Sequence, residues 1–502
     1  MPSQAQNTEP STTNTGTHKS KISRHIGLWL GIAILMFTLI VPAPEGMPAP
    51  AWHVVGVGLL MACWWATEAL PVPITSLLPM VLFPLIGITS MKAATTPYAQ
   101  PVIYLLFGGF VIATALERWN LHRRLALYVL NLVGDHPAAI IAGFMGATAF
   151  LSMWISNTAS TIMMIPIALS LAHVILRPQR EKGHAFSLCL VLGIAYAASI
   201  GGLGTLIGTP PNALVAGFMA SEYNIQIGFV QWMAFGLPVV IVMVPLAWFI
   251  LTRWVFHFQL DHNPQAHDVI RTELTNMGRW TRPERRTAYA FITIALLWIT
   301  RPLLQKYLGL PGLNDALIAV GGAISLFLIP AGNHKDNPSE KSQSLLDWES
   351  ASRIPWGVLL LFGGGMSLAA AVNSSGLALW LGEQLAGLTT LHMLLLLFAL
   401  VSLVIFLTEL TSNTATTAAL LPVLGAIAAP AAFDPMMLAA PAALAASCAF
   451  MLPVATAPNA IIYASGEVTI AQMARAGFWL NIVGIFIVST LSYFLVPIIF
   501  LP

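Results

Sequence analysis

The chain is 502 residues long, 57% hydrophobic and only 8% charged, with a net charge of +2 and a mean hydropathy of +0.78. Soluble globular proteins carry about 25% charged residues, so this composition cannot clothe a water-facing surface, and it excludes a soluble enzyme or a nucleic-acid-binding protein. Cys63, Cys189 and Cys448 all sit inside apolar stretches without ligand spacing, which excludes a disulfide-built extracellular scaffold. What remains is an all-α polytopic membrane protein.

In chain order, residues 1–26 read as a disordered cytoplasmic tail, because Ser, Thr, Asn and Gln dominate it and no apolar period is present. A first span follows within 27–50, its apolar run at 27–41. A cleaved signal peptide is the rival reading, but the run lacks a small-residue cleavage site. A bilayer-crossing helix needs about 20 apolar residues. That ruler places further spans near 51–67, 74–89, 101–117, 187–220, 232–256, 287–305, 313–330, 354–373, 436–466 and 474–500. Two apolar blocks, 137–176 and 388–429, are too long for one crossing. Each holds a polar cluster at its centre, Ser156-Asn157-Thr158 and Ser412-Asn413-Thr414. Each is therefore expected to be a re-entrant helical hairpin, because irregular backbone at membrane depth survives only beside protein or a wet cavity. The expectation is eleven spans plus two hairpins.

Charge placement tests that count. With the tail inside, each span reversing sides and each hairpin returning to its own, all of the 22 Lys and Arg except Lys92, Arg301 and Lys306 fall on the cytoplasmic side. The linker 257–286 is then cytoplasmic. Arg118, Arg123 and Arg124, with Leu121, Leu125 and Leu127, are expected to form an amphipathic helix on that surface.

The chain also repeats. Leu105-Leu106-Phe107-Gly108-Gly109 recurs as Leu360-Leu361-Phe362-Gly363-Gly364, Ser156-Asn157-Thr158-Ala159 as Ser412-Asn413-Thr414-Ala415, and Pro166 as Pro422, at an offset of 255 or 256. Gly208-Thr209-Pro210-Pro211-Asn212-Ala213 is echoed by Ala455-Thr456-Ala457-Pro458-Asn459-Ala460. Two repeats result, 51–256 with hairpin 137–176 and 287–502 with hairpin 388–429. Five crossings in each would set the second upside down, the ground plan of secondary transporters that bind substrate and ions near the midplane.

The clusters suit that role. Ser, Asn and Thr both donate and accept hydrogen bonds. At a hairpin tip the second arm starts with unpaired N–H groups, which suit an anion, while the first ends in free carbonyls, which suit Na⁺. Simple helix capping is the alternative for one isolated copy; two copies at matching positions argue for a site. Pro210 and Pro211 break the fifth span and can start a new helix, again exposing carbonyls and an N-terminus. Glu68 and Glu409 stand in apolar surroundings where a charge is costly: Glu409 either tunes the cation site or hydrogen-bonds a neighbouring helix, and Glu68 is expected at an interface.

Paired Ser-Asn-Thr clusters, with Gly208-Thr209-Pro210-Pro211-Asn212 and Met451-Leu452-Pro453-Val454-Ala455-Thr456 downstream, resemble the divalent anion/sodium symporter (DASS, INDY-type) family from about Trp52 to the C-terminus. The resemblance implies Na⁺-coupled uptake of dicarboxylates, tricarboxylates or sulfate by an inner-membrane homodimer, with scaffold and elevator-like transport domains and no organic cofactor. It implies substrate binding by Asn157, Thr158, Thr205, Asn413, Thr414 and Thr456. One sodium would lie among Ser152, Ser156, Asn157 and the Gly204 carbonyl, a second among Thr408, Thr411, Asn413 and the Ala455 carbonyl. The family's second Thr-Pro-Pro-Asn is Thr456-Ala457-Pro458-Asn459 here, so substrate size and identity stay open.

C4-dicarboxylate is the leading substrate. The rivals are a sodium-independent exchanger, a sulfate or citrate carrier, an anion channel, and a Na⁺/H⁺ antiporter, which would place an acid where these clusters have Asn. An enzyme is not expected, for no nucleophile–base pair or metal cluster is evident, and no P-loop points to an ATP-driven pump.

Overall fold

The computed structural model describes residues 15–176, 184–258, 265–332, 343–384, 392–428 and 433–501. The start of the expected tail, the basic loop with Arg177, Arg180 and Lys182, the positions Lys335 and Lys341, and both ends of the expected hairpin 388–429 lie outside the described residues. Within them the chain is helical, apart from one isolated bridge between Pro330 and Ser344.

Helix α1 (Thr15–Ile40) starts well inside the stretch expected to be a disordered tail, and packs on α2 (Ala49–Thr67). Once the apolar run at 27–41 has nucleated a helix, propagation adds one bond per residue fixed and continues into polar sequence. The expected span 74–89 is not one helix. It is α3 (Val72–Thr75) and α4 (Leu78–Leu85), because Pro73, Pro79 and Pro84 each lack the N–H a continuous ladder needs. After α5 (Met91–Thr95) and a tight turn at Thr96–Ala99 comes α6 (Pro101–Arg118), then α7 (Leu121–Asn131), α8 (Pro137–Ser152) and α9 (Asn157–Leu176). The expected span 187–220 is α10 (His184–Gly201) and α11 (Pro210–Tyr223), separated at Gly202–Thr209, where Pro210 and Pro211 restart the helix.

Helix α12 (Phe229–Phe249) ends in a wide turn at Ile250–Val255 and is followed by α13 (Gln265–Asn276), α14 (Arg282–Leu308) and α15 (Asp315–Leu328). Then come α16 (Trp348–Ala351), α17 (Trp356–Ser374), α18 (Leu377–Gln384), α19 (Met393–Thr408) and α20 (Asn413–Ala428). The expected span 436–466 is divided into α21 (Met436–Ala446) and α22 (Ala457–Ala464), and α23 (Ile470–Phe500) closes the chain. Among the described residues seven helices are long and apolar enough to cross a membrane: Ala49–Thr67, Met91–Arg118, His184–Gly204, Phe229–Val255, Arg282–Leu308, Trp356–Ser374 and Ile470–Phe500.

Burial sorts them. Residues 186–201 of α10 are all buried, packed by α8, α9, α12 and α22, whereas α14 presents Ile292, Leu296 and Leu303 outward. An apolar outer face of that extent would drive aggregation in water and is what a bilayer requires. The loops between the divided helices are gripped from outside by close backbone approach. A Cβ on Gly236 of α12 would meet the Leu203 carbonyl oxygen at 2.2 Å, and one on Gly477 of α23 would meet that of Phe450 at 2.1 Å.

Arg124 does not lie on the surface of α7 as the amphipathic reading expected. It is 2% exposed. Its guanidinium pairs with Glu284 at 3.0 Å and donates to the carbonyls of Gly278 (2.9 Å) and Met277 (3.1 Å), under the Trp280 ring at 5.3 Å. Glu284 also closes the capping box of α14 with Thr281. The linker between α13 and α14 is thereby clamped to α7.

Candidate functional site

Both polar clusters fall at helix breaks. Helix α8 stops at Ser152 and α9 starts at Asn157; α19 stops at Thr408 and α20 starts at Asn413. The local bonding is the same in both. Ser152 Oγ stands 2.5 Å from Asn157 Oδ1 and 2.7 Å from the Ala198 carbonyl. Thr408 Oγ1 stands 2.8 Å from Asn413 Oδ1 and 2.9 Å from the Ala446 carbonyl. Thr161 and Thr417 donate to the carbonyls of Asn157 and Asn413, each at 2.8 Å. Ser156 Oγ accepts the Ala159 N–H at 3.1 Å, so the capping reading holds there as well.

The loops behind the breaks are pinned by equivalent amides. Asn212 Nδ2 donates to the carbonyls of Gly202 (2.9 Å) and Thr205 (2.7 Å), and Asn459 Nδ2 to those of Ala449 (3.1 Å) and Leu452 (3.0 Å). Each amide sits one turn inside a helix that begins at the loop, so a single side chain ties the loop to the helix.

Each hydroxyl, Ser152 and Thr408, is held between a helix carbonyl and the side-chain amide that opens the next helix. Hydroxyl, amide and carbonyl oxygens together form a hard donor set, which suits an alkali cation. Among the described residues no group of three or more His, Cys, Asp or Glu is arranged to hold a metal ion.

A cavity of about 830 Å³ lies between the two breaks. Ser156, Asn157 and Thr158 line it from one side, Thr411, Ser412, Asn413 and Thr414 from the other, with Ala455 and Thr456 between. Ser152 and Thr408 sit behind this wall, fully buried and bonded to the Asn side chains that form it. Thr411 Oγ1 is engaged by the Leu407 carbonyl at 3.0 Å and by Thr416 Oγ1 at 2.5 Å.

Thr205 and Gly204 stand behind the first break. Both are buried and neither lines the cavity. The Thr205 hydroxyl donates to the Met153 carbonyl at 2.5 Å and accepts the Gly208 N–H at 3.0 Å, which ties the loop to the first break. Thr209 lines the cavity in its stead. Its match to Thr456 was visible in the Thr209-Pro210-Pro211-Asn212 echo. Four charged residues also line the wall: Arg24, Glu68, Glu117 and Arg353. Arg24 pairs with Glu68 at 3.4 Å and Arg353 with Glu349 at 3.0 Å. Sequence spacing could not place them, since α1, α2, α6 and the start of α17 meet here only through tertiary packing.

Glu409 breaks the likeness between the halves. It is 4% exposed, and its carboxylate accepts the N–H groups of Phe450 (2.8 Å), Met451 (2.9 Å) and Leu452 (3.0 Å) and the Asn481 amide (2.7 Å). Three successive backbone donors of the loop after α21 converge on it. The acid thus bridges the loop after α21 to Asn481 of α23. At the matching place in the first half stands Met153.

The sequence matches the model of the sodium:sulfate symporter transmembrane region over residues 22–501. The chain belongs to this family. It is 43% identical over 480 residues to the sodium-dependent dicarboxylate transporter SdcS of Staphylococcus aureus strain USA300, covering 94% of this chain and 91% of the relative. Among solved structures the fold resembles the YdaH transporter of Alcanivorax borkumensis, with a TM-score of 0.54 at 14% identity over 88% of this chain and 98% of that one. It also resembles MtrF of Neisseria gonorrhoeae, with a TM-score of 0.53 at 14% identity over 96% and 95%.

Proposed function

We propose that the protein is a sodium-coupled carrier that takes up divalent anions, with C4-dicarboxylates such as succinate, malate or fumarate as substrates. The observation that carries this reading is the pair of matching hydroxyl, amide and carbonyl clusters flanking a single cavity. Asn157, Thr158, Asn413, Thr414 and Thr456 would bind the two carboxylates, with Thr209 taking the place expected for Thr205. Sodium would be held by Ser152, Ser156, Asn157 and the Gly204 carbonyl in one half and by Thr408, Thr411, Asn413 and the Ala455 carbonyl in the other. The 43% identity to a sodium-dependent dicarboxylate transporter favours dicarboxylate over sulfate or citrate.

Electrostatics favours symport over cation-free exchange. Moving a carboxylate out of water costs several kcal/mol even after relaxation, so a dianion needs two compensating charges. The charged wall residues, two Arg and two Glu, cancel formally, and both arginines are already paired. Mobile cations must supply the balance.

The same reading includes eleven spans, with α8–α9 and α19–α20 as re-entrant hairpins of two inverted repeats. It includes elevator movement of the hairpin-bearing part against a scaffold, a homodimer, and an inner-membrane location with the N-terminus in the cytoplasm. Support comes from the duplicated breaks and from the placement of Lys and Arg. Cysteine labelling from each face, in a Cys63→Ser background, tests the topology: Thr275→Cys should react from the cytoplasm and Ser374→Cys from outside. A thermal-shift panel of succinate, citrate and sulfate with and without Na⁺ tests the substrate. Succinate should stabilise only with Na⁺; stabilisation by sulfate alone would reverse the assignment.

A further inference from the structure

The two halves of the cavity differ at one backbone position. Helices α11 and α22 both begin at its wall, the first with Pro210-Pro211 and the second with Ala457-Pro458. The first N–H groups of a helix have no intrahelical acceptor. On α11 the two prolines carry none. On α22, Thr456 Oγ1 accepts the Asn459 N–H at 3.2 Å and the Thr456 carbonyl accepts that of Ala460 at 3.1 Å. That leaves Ala457. Among the described residues nothing accepts its N–H, and the residue is exposed to the cavity.

Backbone conformation does not explain the missing proline. A residue before proline must be extended. Thr209, before Pro210, has φ −144° and ψ 142°; Thr456, before Ala457, has φ −140° and ψ 152°. The two are the same conformation. The first helical position is where proline is favoured, and a compatible proline stabilises by restricting the unfolded chain. The second half therefore forgoes a stabilising ring that its own backbone would accept, and gains a donor at the wall that Thr456, Asn413 and Thr414 also line.

We propose that Ala457 is a substrate-binding residue acting through its main chain, its N–H donating to a carboxylate oxygen of the dianion from the side that Pro210 cannot serve. This rests on the cavity being the dianion site.

The test measures labelled succinate affinity of the purified full chain in Na⁺, alongside thermal unfolding without succinate. Ala457→Pro should unfold at the same or a higher temperature and bind succinate roughly tenfold or more weakly, the loss expected for one hydrogen bond to a charged group. Ala457→Gly keeps the N–H and should stay within about twofold of the parent. Asn413→Ala reports on the cavity itself. If Ala457→Pro binds normally while Asn413→Ala is impaired, the proposal falls and the site assignment stands. If Asn413→Ala also binds normally, the site assignment falls, and the proposal with it. Equal losses in Ala457→Pro and Ala457→Gly would refute the N–H as the cause, and a lower unfolding temperature for Ala457→Pro would refute the premise that the backbone accepts the ring.

Discussion

Replacing Glu409 should expose how the second half of the site is held together. The carboxylate is the shared acceptor for three consecutive backbone N–H groups and for Asn481. A buried donor left without an acceptor costs about 1–3 kcal/mol. Glu409→Ala orphans four donors at once, so a loss of about 4 kcal/mol or more is expected, at the far end of single substitutions. Glu409→Gln keeps one acceptor oxygen. Placed where Oε1 stands, it still serves Phe450, Met451 and Asn481, but its NH₂ then faces the Leu452 N–H. A loss of about 1–3 kcal/mol follows. Because the loop leads directly into Ala455 and Thr456, both variants should also weaken sodium binding. Thermal unfolding in detergent across a Na⁺ titration reads both effects. Parent-like stability of Glu409→Ala would refute the assignment of the acid as the organiser of this loop.

Asn157→Ala and Asn413→Ala should each weaken succinate binding roughly tenfold or more, and to similar extents, because their hydroxyl partners are matched; a scintillation binding assay decides this. Arg124→Ala should lower stability by about 3–5 kcal/mol, since it strands a buried carboxylate, and adding Glu284→Gln should recover part of the loss in unfolding scans. The Ser350 N–H and the Arg118 guanidinium hold the Asp347 carboxyl below the usual carboxylate range. Its contribution is therefore present above the unfolded value of about 3.9 and fades as pH falls through the lower folded value. Asp347→Asn should be slightly less stable than the parent at neutral pH, and the difference should close in acid unfolding scans.

Polar clusters stranded in long apolar blocks were legible because polar groups at membrane depth need a reason, and the structure brings both clusters to one cavity. The helix break at Pro210 was equally legible, since proline chemistry is local, whereas the matching break before Ala457 lay hidden inside the expected span 436–466. Other features depend on tertiary context. Nothing in the pattern around Thr205 and Thr209 says which residue turns inward to Met153 and which lines the cavity. The burial of Arg124 depends on Glu284, far away in sequence, and an amphipathic period reads the same whether its polar face meets water or a clamping linker. The division of 74–89 into two short helices was missed because overall hydrophobicity outweighed its prolines in the count.

Symport requires that mobile cations, not fixed ones, neutralise the dianion. Purified protein in sealed vesicles decides it: labelled succinate uptake is compared under an inward Na⁺ gradient and in choline of equal concentration. Accumulation well above the choline level, collapsing when the Na⁺ gradient is dissipated, is the predicted result. Equal uptake in the two salts would contradict the account and favour anion exchange.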